Sequence, residues 1–553
     1  MGRKKRQQPE AATPTAAPSL SDAGCLPRFG AIMALAIILR LTALDWGIPG
    51  PRHGPYHPDE FNGIKGIYNL WNDPHHIKAT YFVSTKGAGY FYTGLAVVAL
   101  ESKLGLLPPK SVQISRPEEM RRLYLSVRAV TVAFSMGTVV LVFFIGHRLF
   151  GPRTAELAAA IEAVNPISVI NAHYIKTDAP EAFWVALALA FAVWSVRDRR
   201  WLAASVFTAG VAGAFKYPGI SAVIFPLAAA ALLRPEDRQA RLKTALLSLP
   251  LLAVGFVLFY PGAVADPKFF LEGLTSEAGR KMLTEWHIPL VRILGYPLAM
   301  AQGNGAALAL WAWVAMVYAL IHRRRENLLL MAWLLPYLLL MSSSVVVLVR
   351  YAVPMMPVMA LLMAAMSERV VESRPDWARK TRVAVALALV SIIFVTGLHL
   401  RTMLRPDPRE LAARWIAVSV PRGETVAVTP THNGDIFFTV RVNRSLHRPL
   451  ELYFRPEQDA SNYLAKDFRW LAANEQAWQS LDSRHASQSR FWDEVNNPDR
   501  WSLAARFSNR IRWPGVLLRG RLPEDMYYLY LEIRIFRRAG LTTPARGDGD
   551  QRG

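Results

Sequence analysis

Gly87-Ala88-Gly89-Tyr90-Phe91-Tyr92-Thr93-Gly94-Leu95-Ala96-Val97-Val98-Ala99-Leu100-Glu101-Ser102-Lys103-Leu104-Gly105-Leu106-Leu107 is the stretch whose reading decides the fold. It is apolar and about as long as a membrane span, since roughly 20 apolar residues cross a bilayer. Glu101 and Lys103 interrupt it near its end. If it crosses, the basic connector from Arg148 to Arg153 and the later Arg197 to Arg200 fall outside the cell. If it lies along the interface, every short basic connector falls inside: Arg148 with Arg153, Arg197 to Arg200, Arg234 to Lys243, Arg323 to Arg325 and Arg369 to Arg382. The positive-inside bias selects the second arrangement, an interfacial helix in a long exterior loop.

Working outward, apolar runs at about 29–47, 122–147, 154–172, 180–196, 202–216, 219–233, 244–263, 304–321, 328–347, 352–369 and 383–401 give eleven spans, with the N-terminus cytoplasmic. The fifth and sixth are short, and Lys216-Tyr217-Pro218-Gly219 breaks them apart, so this hairpin need not reach fully across. Two large exterior loops result, 48–121 and 264–303. The fold class is a polytopic α-helical membrane protein with about 11 transmembrane helices, placed in the inner (plasma) membrane.

Bulk composition agrees. The 553 residues are 52% hydrophobic and only 19% charged, with a mean hydropathy of +0.17. The net charge of +22 would suit nucleic acid if it lined one face. Here Lys and Arg are scattered between apolar runs, so the charge serves topology and attraction to anionic lipid. The single cysteine, Cys25, cannot form an intramolecular disulfide. The sequence has no GxGxxG fingerprint, P-loop, zinc-ribbon cysteines or nucleophile elbow, which argues against nucleotide hydrolysis as the driving chemistry.

Residues 1–28 read as a disordered basic tail, and the first apolar run is too long and too far in to be a cleaved signal. Residues 402–540 read as a small exterior α/β domain. Asp407 to Ile416 has helical spacing, Glu424 to Val428 alternates like a strand, Asn462 to Glu494 is helix-like, and a last strand lies near Tyr528 to Ile535. Trp470, Trp478 and Trp492 are read as exposed aromatics, and 541–553 as a frayed end.

This topology gathers ionisable residues on one side of the bilayer. Asp59 and Glu60 follow the first span in His57-Pro58-Asp59-Glu60, and Lys86 lies in the same loop. His173, Lys176 and Asp178 share the turn Asn171 to Pro180, Lys216 sits at the helix break, His287 in the second large loop, and Arg350 in Leu348 to Pro354. Each has an ordinary alternative: an acidic pair after Pro58 suits any helix's first turn, Asp178 could cap a helix, and Lys216 and Arg350 could snorkel. Their shared location favours function. Acids beside cations at a lipid surface suit transfer of a group from a lipid phosphate to a hydroxyl: a carboxylate takes the proton and cations neutralise the departing phosphate.

An Asp-Glu pair after the first span, an Asp-containing turn before the fourth, a Lys-aromatic-Pro break and an Arg-Tyr before a Pro-rich span resemble the C-type integral-membrane glycosyltransferases. Among these the pattern is similar to the protein O-mannosyltransferase and aminoarabinose transferase group, over about Phe29 to Arg401. The resemblance implies an inverting, single-displacement transfer of a hexosyl or pentosyl group from a polyprenyl-phosphate-linked sugar to a glycan, lipid or protein hydroxyl on the extracytoplasmic face. It implies Asp59, Glu60 and Asp178 as catalytic, Lys86, Arg350 and Lys216 as donor-phosphate ligands, and His173, Lys176 and His287 as substrate-binding positions. The aminoarabinose enzymes carry a Glu before the lysine that can take part in a metal site. Here Thr85 stands there, so no cofactor is expected and a divalent metal is disfavoured. The competing class is a lipid or solute transporter or flippase, whose usual internal repeat and midplane acids are missing.

Overall fold

The computed structural model describes residues 25–49, 55–72, 86–106, 117–281, 295–344, 347–429, 440–452, 460–474, 486–510, 524–526 and 529–539. The basic N-terminal tail to Gly24, the C-terminal end from Gly540, Thr85, His287 and Trp478 lie outside them.

The helical part runs α1 Cys25–Leu41, α2 Pro58–Asn72, α3 Gly89–Lys103, α4 Pro117–Phe150, α5 Pro152–Val164, α6 Pro166–Ala172, α7 Asp178–Trp194 and α8 Trp201–Phe215. A 3-10 turn Tyr217–Val223 leads into α9 Ile224–Leu232, α10 Arg238–Leu247 and α11 Pro250–Phe259. After these come α12 Pro267–Lys281, α13 Gly295–Asn304, α14 Ala306–His322, α15 Arg325–Ser342, a second 3-10 segment Val349–Met355, α16 Met356–Ser373 and α17 Pro375–Leu404. Three stretches among the described residues, Arg121–Phe150, Val349–Ser373 and Pro375–Ser419, are long and apolar enough to cross a membrane unaided. The pair Tyr217–Leu232 and Pro235–Leu247 passes the same test together but is bent by 98°. Trp201–Phe215, Pro250–Phe259 and Ala306–His322 are shorter apolar helices, and several of the apolar runs are divided by breaks at Pro, so helix length alone does not give the number of spans. Leu258, Leu310, Ile321, Leu387 and Val390 stand exposed on the outer surface, an apolar exterior of the kind lipid contact requires.

Small residues set how closely these helices approach. A Cβ on Gly210 of α8 would lie 2.0 Å from the Leu252 carbonyl oxygen of α11, and one on Gly255 would lie 2.2 Å from that of Phe207. The two backbones touch where glycine removes the side chain, the packing mode that serves where no hydrophobic force drives helices together. The break after α8 is equally tight: a Cβ on Gly219 would meet the Ala212 carbonyl oxygen at 2.6 Å.

The C-terminal part packs α18 Pro408–Ser419 on one face of a five-stranded sheet and α19 Ala460–Leu464 with α20 Ala486–Val495 on the other. The strand order is β2-β1-β3-β5-β4, with β1 Thr425–Val428 parallel to β2 Arg448–Glu451 and β3 Trp470–Asn474, and β5 Glu532–Arg538 antiparallel to β3 and to β4 Trp501–Ser508. The helical reading of 462–494 is corrected here, because Trp470–Asn474 is a central strand buried at every position. A continuous buried run carries no period that separates strand from helix. Trp470 and Trp492 are core residues, 6% and 2% exposed, rather than surface aromatics. The last strand begins at Glu532, and Leu529 and Tyr530 before it pack into the helical core instead.

Replacing Gly210 with Ala should destabilise the detergent-solubilised protein by about 1–3 kcal/mol, the usual cost of overpacking. A thermal unfolding midpoint unchanged from the parent would show that α8 and α11 can separate without penalty.

Candidate active site

The site begins at a buried ion pair. Glu60, in the first turn of α2, takes Arg128 of α4 through Nη2 at 2.6 Å and Nε at 2.8 Å, both side chains fully buried. The Ile175 amide donates to the same carboxylate at 2.9 Å. Arg128 also donates to the Leu44 and Trp46 carbonyls beyond the end of α1. One side-chain pair thus ties together α1, α2, α4 and the turn before α7, all of its contacts charge-assisted.

The neighbours of these tied residues meet. Asp59 precedes Glu60 and Lys176 follows Ile175, and their side chains lie 3.6 Å apart. Arg350 reaches the same Asp59 oxygen at 3.7 Å. Both separations exceed hydrogen-bond range, and the Asp59 side chain is 24% exposed. Its backbone N–H donates to His57 Nδ1 at 3.1 Å, which places the His57 proton on Nε2. Burial, with Lys176 beside it, keeps His57 well below its ordinary value, hence neutral. Burial alone would raise the Asp59 pKa, but Lys176 first, then Arg350 and Lys86, hold it well below the usual carboxylate range. Lys176 is itself lowered to about 8, by burial first and by Arg350 second.

A second cluster adjoins the first. Lys216 sits at the α8 break with an extended backbone, φ −160° and ψ 130°. That geometry turns its ammonium onto Asp178 at 2.9 Å and Glu181 at 3.0 Å, two acids one helical turn apart at the start of α7. Tyr337 donates to the other Glu181 oxygen at 3.0 Å. The Tyr351 ring joins the clusters, with Lys216 Nζ 4.9 Å and the Arg350 guanidinium 5.7 Å from its centroid. Lys86 is brought in by Gly87, whose φ is +97° and where a Cβ would meet the Ala214 and Phe215 carbonyl oxygens at 2.7 and 2.8 Å. Glycine therefore lets the chain lie against the end of α8.

Of the residues expected from sequence, Asp59, Lys86, Lys176, Asp178, Lys216 and Arg350 are assembled around this locus. Glu60 is there too, but committed to Arg128. His173 lies in the same turn, yet its two ring nitrogens sit 2.8 Å from the Val169 and Thr42 carbonyl oxygens, so it ties the turn to the end of α1. Sequence reasoning took Tyr351 only as part of an Arg-Tyr motif and passed over Glu181, Arg128 and Asp525, the last of which accepts from the Val349 and Arg350 amides. Glu181 and Arg128 could have been found, since an ionisable residue in an apolar run needs a partner. Among the described residues no three His, Cys, Asp or Glu side chains gather as a metal cluster.

The comparisons with known proteins agree with the resemblance read from the sequence as far as the fold is concerned. Residues 122–264 match the family model described as dolichyl-phosphate-mannose-protein mannosyltransferase. The fold is similar to that of ArnT from Cupriavidus metallidurans, in the apo state at TM-score 0.51 and 14% identity over 92% of this chain and 98% of that one. The crystal structure of the same ArnT bound to undecaprenyl phosphate gives TM-score 0.51 and 15% identity over 91% and 97%. No curated protein matches the sequence significantly.

Removing one partner of a buried ion pair costs about 3–5 kcal/mol. Glu60→Gln should therefore lower the unfolding midpoint and yield sharply, whereas Asp59→Asn, which loosens two longer and partly open contacts, should leave both near the parent. Equal stability of the two variants would remove Glu60 from its structural role.

Proposed function

We propose that the chain is a membrane glycosyltransferase that moves a sugar from a polyprenyl-phosphate donor to an acceptor hydroxyl on the extracytoplasmic face, by a single inverting displacement. The observation that carries this reading is the state of Asp59. Glu60, Asp178 and Glu181 are each held by a cation at 2.6–3.0 Å and almost fully buried. Asp59 is partly open, and Lys176 and Arg350 stand off at 3.6 and 3.7 Å, leaving room for a substrate. The undecaprenyl phosphate carried by ArnT of the same fold supports a lipid phosphate as the group those cations receive.

The step is a displacement at the anomeric carbon. The acceptor oxygen forms a bond to that carbon, the bond to the phosphate oxygen breaks with its electron pair, and the hydroxyl proton passes to Asp59. Arg350, Lys86 and Lys216 neutralise the departing phosphate, a preorganised contact of the kind that dominates such catalysis. Asp178 and Glu181 hold Lys216 in place. Glu60 holds the loop. Lys176, 3.6 Å from Asp59, keeps that carboxylate ionised and with Arg350 adds positive charge where the donor phosphate is received, so its protonated form is the active one. His287, outside the described residues, stays a candidate substrate-binding position.

Transfer from a synthetic polyprenyl-phosphate sugar in detergent tests the assignment. Asp59→Asn should lose about 10²–10⁴-fold in turnover, the range for a general base, while still binding undecaprenyl phosphate. Undiminished turnover rules out the base assignment.

The pH profile has a worked sign. Asp59, depressed, keeps activity level on the acid side down to below the ordinary carboxylate range. Lys176, lowered to about 8, loses its charge above that pH and activity falls. Between about 8 and its ordinary 10.5 the unfolded chain retains the Lys176 proton that the folded one has released, so this group raises stability as pH rises there. Activity should therefore fall on the alkaline side without loss of stability, and Lys176→Arg should move that limb upward. A limb unmoved in that variant assigns it to another group.

A further inference from the structure

The C-terminal sheet reaches into this site. Between β4 and β5 the chain leaves the sheet, and a 3-10 turn, Glu524–Met526, packs on the Val349–Met355 segment that carries Arg350. Asp525 accepts from the Val349 amide at 3.2 Å through Oδ1 and from the Arg350 amide at 2.8 Å through Oδ2. Those are the first two amides of a 3-10 segment whose preceding residue, Leu348, provides no side-chain cap. Opening amides of a helix have no partner within it, so Asp525 supplies from 175 residues away what the local sequence lacks.

The turn is anchored. Met526, Leu529 and Tyr530 are 7%, 3% and 4% exposed and belong to the core of the helical part. His399 of α17 fixes the tyrosine: its Nε2 faces the Gly303 carbonyl at 3.0 Å, which can only accept, so Nε2 carries the proton and Nδ1 receives the Tyr530 hydroxyl. Asp525 is thus built on a wedge seated between α13 and α17. Its charge also acts on Arg350 and Lys176, the two cations flanking Asp59.

We propose that Asp525 is a positioning residue for Arg350, and that through it the C-terminal domain completes the donor-phosphate site of the helical domain. Asp525 touches the backbone of the phosphate-binding residue, and acts through it. The inference rests on the reading of Arg350 as a phosphate ligand, and the tests separate the two.

Hydrogen–deuterium exchange on the full-length protein in detergent, without any lipid, probes the positioning itself. Asp525→Ala should speed exchange at the Val349 and Arg350 amides, with the peptides of α8 and α11 unchanged, and Arg350→Ala should not. Unaltered exchange at 349–350 overturns the proposal whatever the substrate. Where Asp525→Ala does not fold, Asp525→Asn, which keeps one accepting oxygen and the shape, carries the same comparison with a smaller change.

Binding of undecaprenyl phosphate probes the consequence. Asp525→Ala should weaken it about tenfold, the order expected when a charge-assisted hydrogen bond is lost, with KM for the donor raised more than kcat is lowered. In an Arg350→Ala background the same change should cost less than about twofold, because residues acting as one unit are not additive. Full additivity makes Asp525 independent of Arg350 and overturns the positioning role. Absence of binding by the parent protein would instead sink the lipid-phosphate reading, leaving the exchange result to decide the positioning.

Discussion

The Glu60–Arg128 pair is the constraint on which the site depends. Two charges removed from water are costly unless their hydrogen bonds are well met, and here Arg128 satisfies two backbone carbonyls besides the carboxylate, while Glu60 takes a backbone amide besides the guanidinium. Sequence neighbours of the tied residues then meet in one cluster: Asp59 on one side, Lys176 on the other. The acidic dipeptide divides its labour, one residue held fast so that the next can be left partly open.

The bundle repeats this division. Lys216 is immobilised by two carboxylates, and its extended backbone is possible because the helix has stopped at Phe215. Gly87 brings Lys86 to the same break by dispensing with a side chain. Irregular backbone therefore collects at the locus, enclosed by protein, the condition under which unpaired peptide groups are tolerated in an apolar setting. The stretch Gly89–Lys103 that decided the topology is a 15-residue helix against α2 and α4, shorter than a span.

Much of this was legible in sequence because charge in an apolar chain is conspicuous. Asp59, Lys86, Lys176, Asp178, Lys216 and Arg350 stood out at the ends of apolar runs, and they assemble. Glu181 and Arg128 were hidden inside runs read as spans, where hydropathy averages them away. Asp525 had no local signal at all, since its meaning comes from amides far along the chain. In the C-terminal part the alternation at Thr425–Val428 was read correctly, but Trp470–Asn474, buried on both faces, lost the period that would have marked it. Leu529 and Tyr530 adjoin the last strand in sequence, but both side chains are buried in the helical core, which the sequence pattern alone does not reveal.

The span between Glu60 and Arg128 bears on biosynthesis. Sixty-eight residues separate the two, so the carboxylate emerges well before its counterion. Until α4 arrives, an ionised Glu60 must stay hydrated, and the loop that carries it cannot settle against the hydrocarbon. Docking of this loop is thus tied to a later helix, because Glu60 and the Asp59 beside it stay in water until Arg128 of α4 is in place.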